Sequence, residues 1–446
     1  MTALKEYVLG ILTRTAKKNH ILSNVMRAGW NVYLWICYKA SSCFVAVNSR
    51  TILFCSFQGR SYSDNPRALF EYMVSNPKFA DYTLVWGFRN DIDGYQKKLE
   101  CCLKKFPADS RPLVKAVEYN GKEWRKYLAS AKYWIFNYKV EEYLWPKKNQ
   151  FFLQTWHGTP LKRLGFDLEH FDNVFNTKED MKRRYRIEVQ KFSCFLSPSP
   201  FATEKFKSAW RMDEFGKNNI ILEQGYPRND MLVNFSQKYV EEVREKILGS
   251  AFRRDRPAFS GQTVSLKKKV ILYAPTYRSD QHESSHGYSY QMVFNPEKMQ
   301  KELGSDFIIL FRAHYMVASQ FEFEKYKGFI FDVSGLDDIN ELYLISDLLV
   351  TDYSSSMFDY AVLKRPMIFY MYDLEHYRDE SNGFYFDPES ELPGPIVRTE
   401  DALIRAITEL TENFSYDEKY RDFNEKFDPY EDGKVCERVL REIKLL

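Results

Sequence analysis

The chain has 446 residues, 44% of them hydrophobic and 28% charged, which allows two to three ordinary domains and excludes a disordered polymer. Its formal net charge of +3 is too small to argue for a nucleic-acid partner. Its seven cysteines form neither a CxxC pair nor a Cys/His cluster at zinc spacing, so reduced cytosolic thiols and no metal are expected.

Residues 1–50 carry Lys5, Arg14, Lys17, Lys18, Arg27, Lys39 and Arg50 against Glu6, a balance of +6 that leaves the remaining chain at −3. Trp30, Trp35, Leu22, Leu34 and Ile36 are interleaved with these bases. No stretch reaches the ~20 apolar residues of a spanning helix, and bases interrupt every apolar run, unlike a cleaved signal peptide. Basic residues among Trp and Leu suit a helical segment lying on anionic lipid; a helical pair packed on the protein's own core is the simpler alternative. The high aromatic share, 17%, suits either.

From residue 51 short β-rich apolar runs recur at 51–57, 83–88, 133–137, 151–156 and 220–223, with helix-like segments such as 67–74 between most of them. Such alternation predicts βαβ units and a parallel sheet. Residues 236–268 are polar and basic and read as a linker or loop. A second series follows at 270–274, 307–311, 328–333, 348–351 and 367–372. The expected organisation is a helical segment over 1–50, one α/β domain over 51–235, a second over 236–420, and a C-terminal helix over 421–446 that packs back on the first domain.

Within this frame several strand ends carry chemistry. The run 151–156 stops at His157-Gly158-Thr159-Pro160, a turn at the sheet edge where open α/β sheets bind ligands. The plainer reading is a turn histidine bonded to a backbone carbonyl. In the second half, Arg278 follows one strand, Arg312 and His314 another, and Asp352-Tyr353-Ser354-Ser355-Ser356 a third, just before a helix-like segment containing Asp359. One serine suffices to cap a helix. Three leave hydroxyls and N–H groups facing outward, which suits an anion at a helix N-terminus. No GxxxxGK[ST] or GxGxxG is present. Two arginines, a histidine and the serines on one edge read as a diphosphate clamp.

These pieces, together with Gln58-Gly59, Asp64-Asn65-Pro66, Thr155-Trp156-His157-Gly158-Thr159-Pro160-Leu161-Lys162, Gly225-Tyr226-Pro227-Arg228-Asn229-Asp230, Leu392-Pro393-Gly394-Pro395 and Asp432-Gly433, make the chain resemble the CDP-glycerol glycerophosphotransferase family of teichoic acid and capsule polymer synthesis. The ordered set spans roughly residues 50–440. The resemblance implies an α/β, GT-B-like fold, two Rossmann-type domains facing a central cleft. It implies CDP-glycerol or CDP-ribitol as donor, a polyprenyl-diphosphate-linked acceptor, and a peripheral place on the cytoplasmic face of the bacterial membrane. It makes His157 and His314 the functionally important histidines and Ser354 and Ser355 diphosphate contacts. No cofactor is required on this reading. His157 would serve as base to the acceptor hydroxyl, oriented by Asp167 or Glu169. Gly158 would admit substrate to the backbone, with Thr159, Lys162, Asp352 and Asp359 near the acceptor or in support. The chain is without the large extra N-terminal region of the longer polymerases, so a primase, a short-chain transferase or a capsule enzyme is expected as readily as a polymerase. A glycosyltransferase using a nucleotide sugar, or a non-catalytic binding protein of the same fold, are the competing readings.

Overall fold

The computed structural model describes residues 20–104, 107, 111–168, 177–248, 268–276, 282–283, 287–290, 292–312, 317–319, 323–380 and 383–446. Its first unit is a seven-stranded sheet of β1 (Asn48–Cys55), β2 (Thr83–Phe88), β3 (Leu113–Glu118), β4 (Ala131–Phe136), β5 (Phe151–Gln154), β6 (Cys194–Ser197) and β7 (Ile221–Glu223). The spatial order is β3-β2-β1-β4-β5-β6-β7, and every pairing is parallel. Ile52, Leu53, Phe54 and Cys55 of the central β1 are fully buried, because helices cover both faces and a parallel strand then needs an unbroken apolar run.

The second unit begins at β8 (Lys269–Ala274). Its main sheet continues with β11 (Phe307–Phe311), β13 (Ile330–Asp332), β14 (Leu348–Thr351), β15 (Met367–Tyr370) and β16 (Ile396–Val397), while β9 (His282–Glu283), β10 (Gly287–Tyr290) and β12 (Val317–Ser319), on either side of β11 in the chain, form a small separate sheet. The six-stranded order is β13-β11-β8-β14-β15-β16, again all parallel. Both units are therefore Rossmann-like: each sheet sends all its strand C-termini to one edge.

The helices that place the site are α1 (His20–Ser42), α2 (Asp64–Ser75), α3 (Gln237–Leu248), α4 (Ile339–Ile345), α5 (Ser356–Ala361), α6 (Glu418–Phe427) and α7 (Val435–Glu442). The segment read as a linker over 236–268 instead contains α3, whose Val240, Val243, Ile247 and Leu248 are buried in the second unit's core. Its charged residues mask an apolar stripe at helical spacing. The basic run Arg253–Pro257 lies outside the described residues. Helix α7 buries Val435, Val439 and Leu440 against the first unit's core, beside Phe54 and Phe70, so the chain crosses between units again near its C-terminus.

Among the described residues no helix is long and apolar enough to cross a membrane. Helix α1 docks on the first unit through Tyr38 and Ser42, both nearly fully buried, and Asn31, which donates to Glu142 at 3.1 Å. Its opposite face leaves Val25, Val32 and Ile36 exposed at helical spacing, with Trp35 alongside and Phe44 just beyond.

Candidate active site

The turn after β5 starts under strain. Trp156 has φ of +50°, a left-handed backbone that bulky residues rarely adopt. Phe57, Gln58 and Asp64, on the loop after β1 and the start of α2, also have positive φ. Such residues persist only where surrounding contacts over-determine them, and they cluster at functional sites. The contacts are specific here. Trp156 N–H donates to Gln154 Oε1 at 3.0 Å, and Asn65 Nδ2 donates to the Thr155 carbonyl at 3.2 Å. The Trp156 ring meets Trp210 edge-on, centroids 4.9 Å apart.

His157 stands on this turn with its ring 4.2 Å from that of Trp156 and 5.7 Å from that of Phe57, measured between centroids. Its Nδ1 lies 2.6 Å from the Asn137 carbonyl oxygen. A carbonyl can only accept, so Nδ1 carries the proton and the neutral ring keeps its lone pair on Nε2. The plainer sequence reading, a turn histidine bonded to a backbone carbonyl, is met by this bond, which also fixes the ring's tautomer. The ring's edge is open to the cleft, yet protein walls crowd it, and this desolvation lowers its pKa below the ordinary value. The Asn137 carbonyl and Asp64 pull it upward, while Arg228 and Lys139 add to the lowering.

The orienting role expected of Asp167 is not there. Its carboxylate accepts from Ser208 Oγ and from the Tyr385 hydroxyl instead. Glu169 lies outside the described residues.

Across the cleft, β14 ends at Thr351 and the serines follow. Asp352 Oδ1 accepts from Thr276 N at 2.7 Å and from Tyr353 N at 2.6 Å, tying the ends of β8 and β14 together. Ser354 Oγ accepts from Ser356 N at 3.3 Å and meets Ser356 Oγ at 2.9 Å. Ser355 caps α5 without a side-chain cap bond. Helix α5 is only six residues long, too short to build much macrodipole. Anion affinity at this turn therefore rests on hydroxyls and local N–H groups rather than on a long helix.

Ser355 meets the histidine turn. A Cβ added to Gly158 would lie 2.7 Å from Ser355 Oγ and 3.1 Å from its Cβ. Glycine is needed at 158 to let the serine turn approach, where the sequence suggested an approach by substrate. The segment then runs into the second unit: Leu161 lies in that unit's core, its carbonyl accepts from Tyr385 N at 2.9 Å, and Lys162 pairs with Phe384 as an antiparallel bridge. Lys162 Nζ sits 5.1 Å from the Tyr377 ring centroid. Thr159 is buried, and its hydroxyl has no hydrogen-bond partner among the described residues.

Arg312 Nη1 donates to the carbonyls of Val333 and Leu336, and desolvation lowers its pKa. It holds the loop after β13 from inside. Arg278 and His314 lie outside the described residues. At one edge the cleft widens into a cavity of about 790 Å³ lined by Arg60, Arg89, Tyr95 and Lys98 on the first unit and Leu336 and Asp337 on the second.

Sequence reasoning missed Asn137 and gave no role to Asp64, Asn65 or Arg228. Asp64, Asn65 and Arg228 did stand out in the recognised motifs; Asn137, at the end of an apolar run, carried no local signal, since its carbonyl and its amide both meet residues distant in sequence.

The family model described as CDP-Glycerol:Poly(glycerophosphate) glycerophosphotransferase matches residues 36–445. The chain is similar to the teichoic acid glycerol-phosphate transferase of Staphylococcus aureus, 37% identical over 399 residues, covering 89% of this chain and 93% of the relative. It is 35% identical over 398 residues to the teichoic acid poly(glycerol phosphate) polymerase of Bacillus spizizenii, covering 89% and 92%. That relative carries the polymerase name at a matched length, so chain length does not separate polymerases from other transferases. The solved wall teichoic acid polymerase TagF is 34% identical with a TM-score of 0.77, covering 94% of this chain and 96% of that one. A histidine-to-asparagine variant of it soaked with CDPG gives a TM-score of 0.76.

Proposed function

The chain belongs to the CDP-glycerol:poly(glycerophosphate) glycerophosphotransferase family, and from that membership we propose that it transfers glycerol phosphate from CDP-glycerol to a hydroxyl of a lipid-diphosphate-linked acceptor. The enzyme class is CDP-glycerol glycerophosphotransferase, in teichoic acid biosynthesis. The polyol is argued from identity at equal extent: two glycerol-phosphate relatives are 35 and 37% identical over 89% of the chain, while a ribitol-phosphate polymerase aligned over the same 89% is 26% identical. We read the paired Rossmann-like units as GT-B-like, with the donor on the second.

In the proposed reaction the acceptor oxygen attacks the β-phosphorus. The bond from that phosphorus to CMP breaks, CMP leaves with its electron pair, and the acceptor proton passes to His157 Nε2. Phosphoryl transfer needs mainly positioning and charge stabilisation, and an imidazole whose pKa is lowered from its ordinary value is neutral and ready at neutral pH. Ser354, Ser355 and Ser356 would bind the diphosphate. Arg312 would contribute charge from behind the loop, and Arg278 and His314 would complete the clamp. Thr159, Gly158, Lys162, Asp352 and Asp359 support the two turns. No metal enters this scheme. The protein would lie on the cytoplasmic face of the membrane, with α1 on anionic lipid.

The observation that carries the reading is the contact of Gly158 with Ser355, which brings the histidine and serine turns to one point. The test offers CDP-glycerol, CDP-ribitol and a UDP-sugar with synthetic lipid-diphosphate acceptors, with and without chelator, and weighs the products. CMP release with gain of one glycerol phosphate, unaffected by chelator, is expected. Transfer from the UDP-sugar alone would overturn the function, and loss in chelator restored by Mg²⁺ would overturn the metal-free scheme.

A further inference from the structure

The motif residues Asp64, Asn65 and Arg228 meet Asp359 beneath the cleft, in a buried ion cluster that joins the two units. Arg228 Nη1 donates to Asp64 Oδ1 at 2.7 Å. Its Nε and Nη2 both donate to Asp359, at 3.0 and 2.9 Å to Oδ1 and 3.1 Å to Oδ2. The three side chains are 6, 7 and 9% exposed. The second Asp64 oxygen accepts from Asn137 Nδ2 at 2.8 Å, and Asn137 Oδ1 accepts from Phe57 N at 2.8 Å. Asn65 Oδ1 accepts from Arg228 N at 3.2 Å, and the Arg228 carbonyl accepts from Asn340 Nδ2 at 2.6 Å.

The two ends of this chain of bonds are the two halves of the site. Asn137 holds His157 through its carbonyl. Asp359 sits on α5, whose first turn follows Ser354 and Ser355. A buried charge cluster of this kind stabilises a fold less than hydrophobic residues of the same volume would, and its best-attested use is to fix one geometry. We infer that the Asp64–Arg228–Asp359 cluster is a positioning device for phosphoryl transfer, setting the histidine turn and the serine turn in register through one shared guanidinium. This inference rests on His157 being the base.

Arginine is required because its planar fork reaches both carboxylates at once; a lysine ammonium cannot serve both with paired bonds. The charged groups facing His157 are Asp64, Arg228 and Lys139. Asp64 favours the protonated ring and Arg228 disfavours it, so the two act on the base in opposite directions.

The test compares Asp64→Asn, Asp359→Asn and the double variant with wild type, all checked for an unchanged circular dichroism spectrum, in pH profiles of kcat/KM. Asp64→Asn should lower kcat on the order of 10²-fold, as misplacement of about 1 Å does. Its acid limb should move to lower pH, because the carboxylate that favours the imidazolium is gone. Asp359→Asn should act mainly on donor KM. The double variant should lose little more than the worse single one, as expected of groups that work as a unit. An unmoved acid limb in Asp64→Asn, or strictly additive losses, overturns the inference. If one single variant fails to fold, the other decides by its own readout: acid limb for Asp64→Asn, KM-against-kcat split for Asp359→Asn. Full activity in His157→Gln would instead defeat the base reading itself.

Discussion

Gly158 shows how one missing carbon governs the site. The nearest atoms to its absent Cβ belong to Ser355, so Gly158→Ala must push the serine turn away or tilt the histidine turn back. Ser354 and Ser355 are only half-buried, so the serine turn can give way without opening a core. The expected outcome is a donor KM raised about tenfold or more with the melting temperature held within a few degrees. Unchanged donor kinetics would show that the two turns need not be in register. Residues of this kind were only partly legible in the sequence. His157, Gly158 and the serines announce themselves as polar and turn residues at strand ends. Arg228 was visible as a motif member, but its partners lie 131 and 164 positions away, and no local pattern encodes such a meeting.

Among the elements, α1 carries the clearest consequence. Its docked face is short, and Val25, Val32 and Ile36 line the other side at 64, 56 and 53% exposure. Fully burying a Val or Ile contributes about 1.5–3 kcal/mol, and each nearby base about 1 kcal/mol on an anionic surface. Deleting the helix would remove Tyr38 from the core, so substitution is the cleaner probe. Val32→Ser with Ile36→Ser should weaken pelleting with anionic vesicles more than tenfold while turnover of a short soluble acceptor analogue is kept. Equal loss on lipid-anchored and soluble acceptors would make the stripe structural. The central strands were readable because both their faces are buried. Strand β3 was not, since at the sheet edge only Val114 and Val117 of it are buried, and the apolar run disappears. Strand β6 has only four residues, and α3 hid its apolar stripe under charge.

At the scale of the molecule, the two units are held together by more than one tie. Leu161 enters the second core, α7 returns to the first, and Arg67 reaches Asp338 at 2.9 Å and Glu341 at 3.3 Å. Tyr95 donates to Asp337 at 3.0 Å beside the cavity. Removing one partner from such a buried pair costs about 3–5 kcal/mol, so the relative placement of the units is part of the native state and not left to substrate. That placement brings the histidine turn against the serine turn at Gly158 and Ser355, and the proposed account stands on what His157 does there. The most direct measurement is transfer from CDP-glycerol to a lipid-diphosphate acceptor by His157→Ala, with donor binding followed by calorimetry on the same preparation. A general base contributes about 10²–10⁴-fold. The expected result is a loss of kcat in that range with donor affinity and circular dichroism unchanged; near-normal turnover would contradict the account.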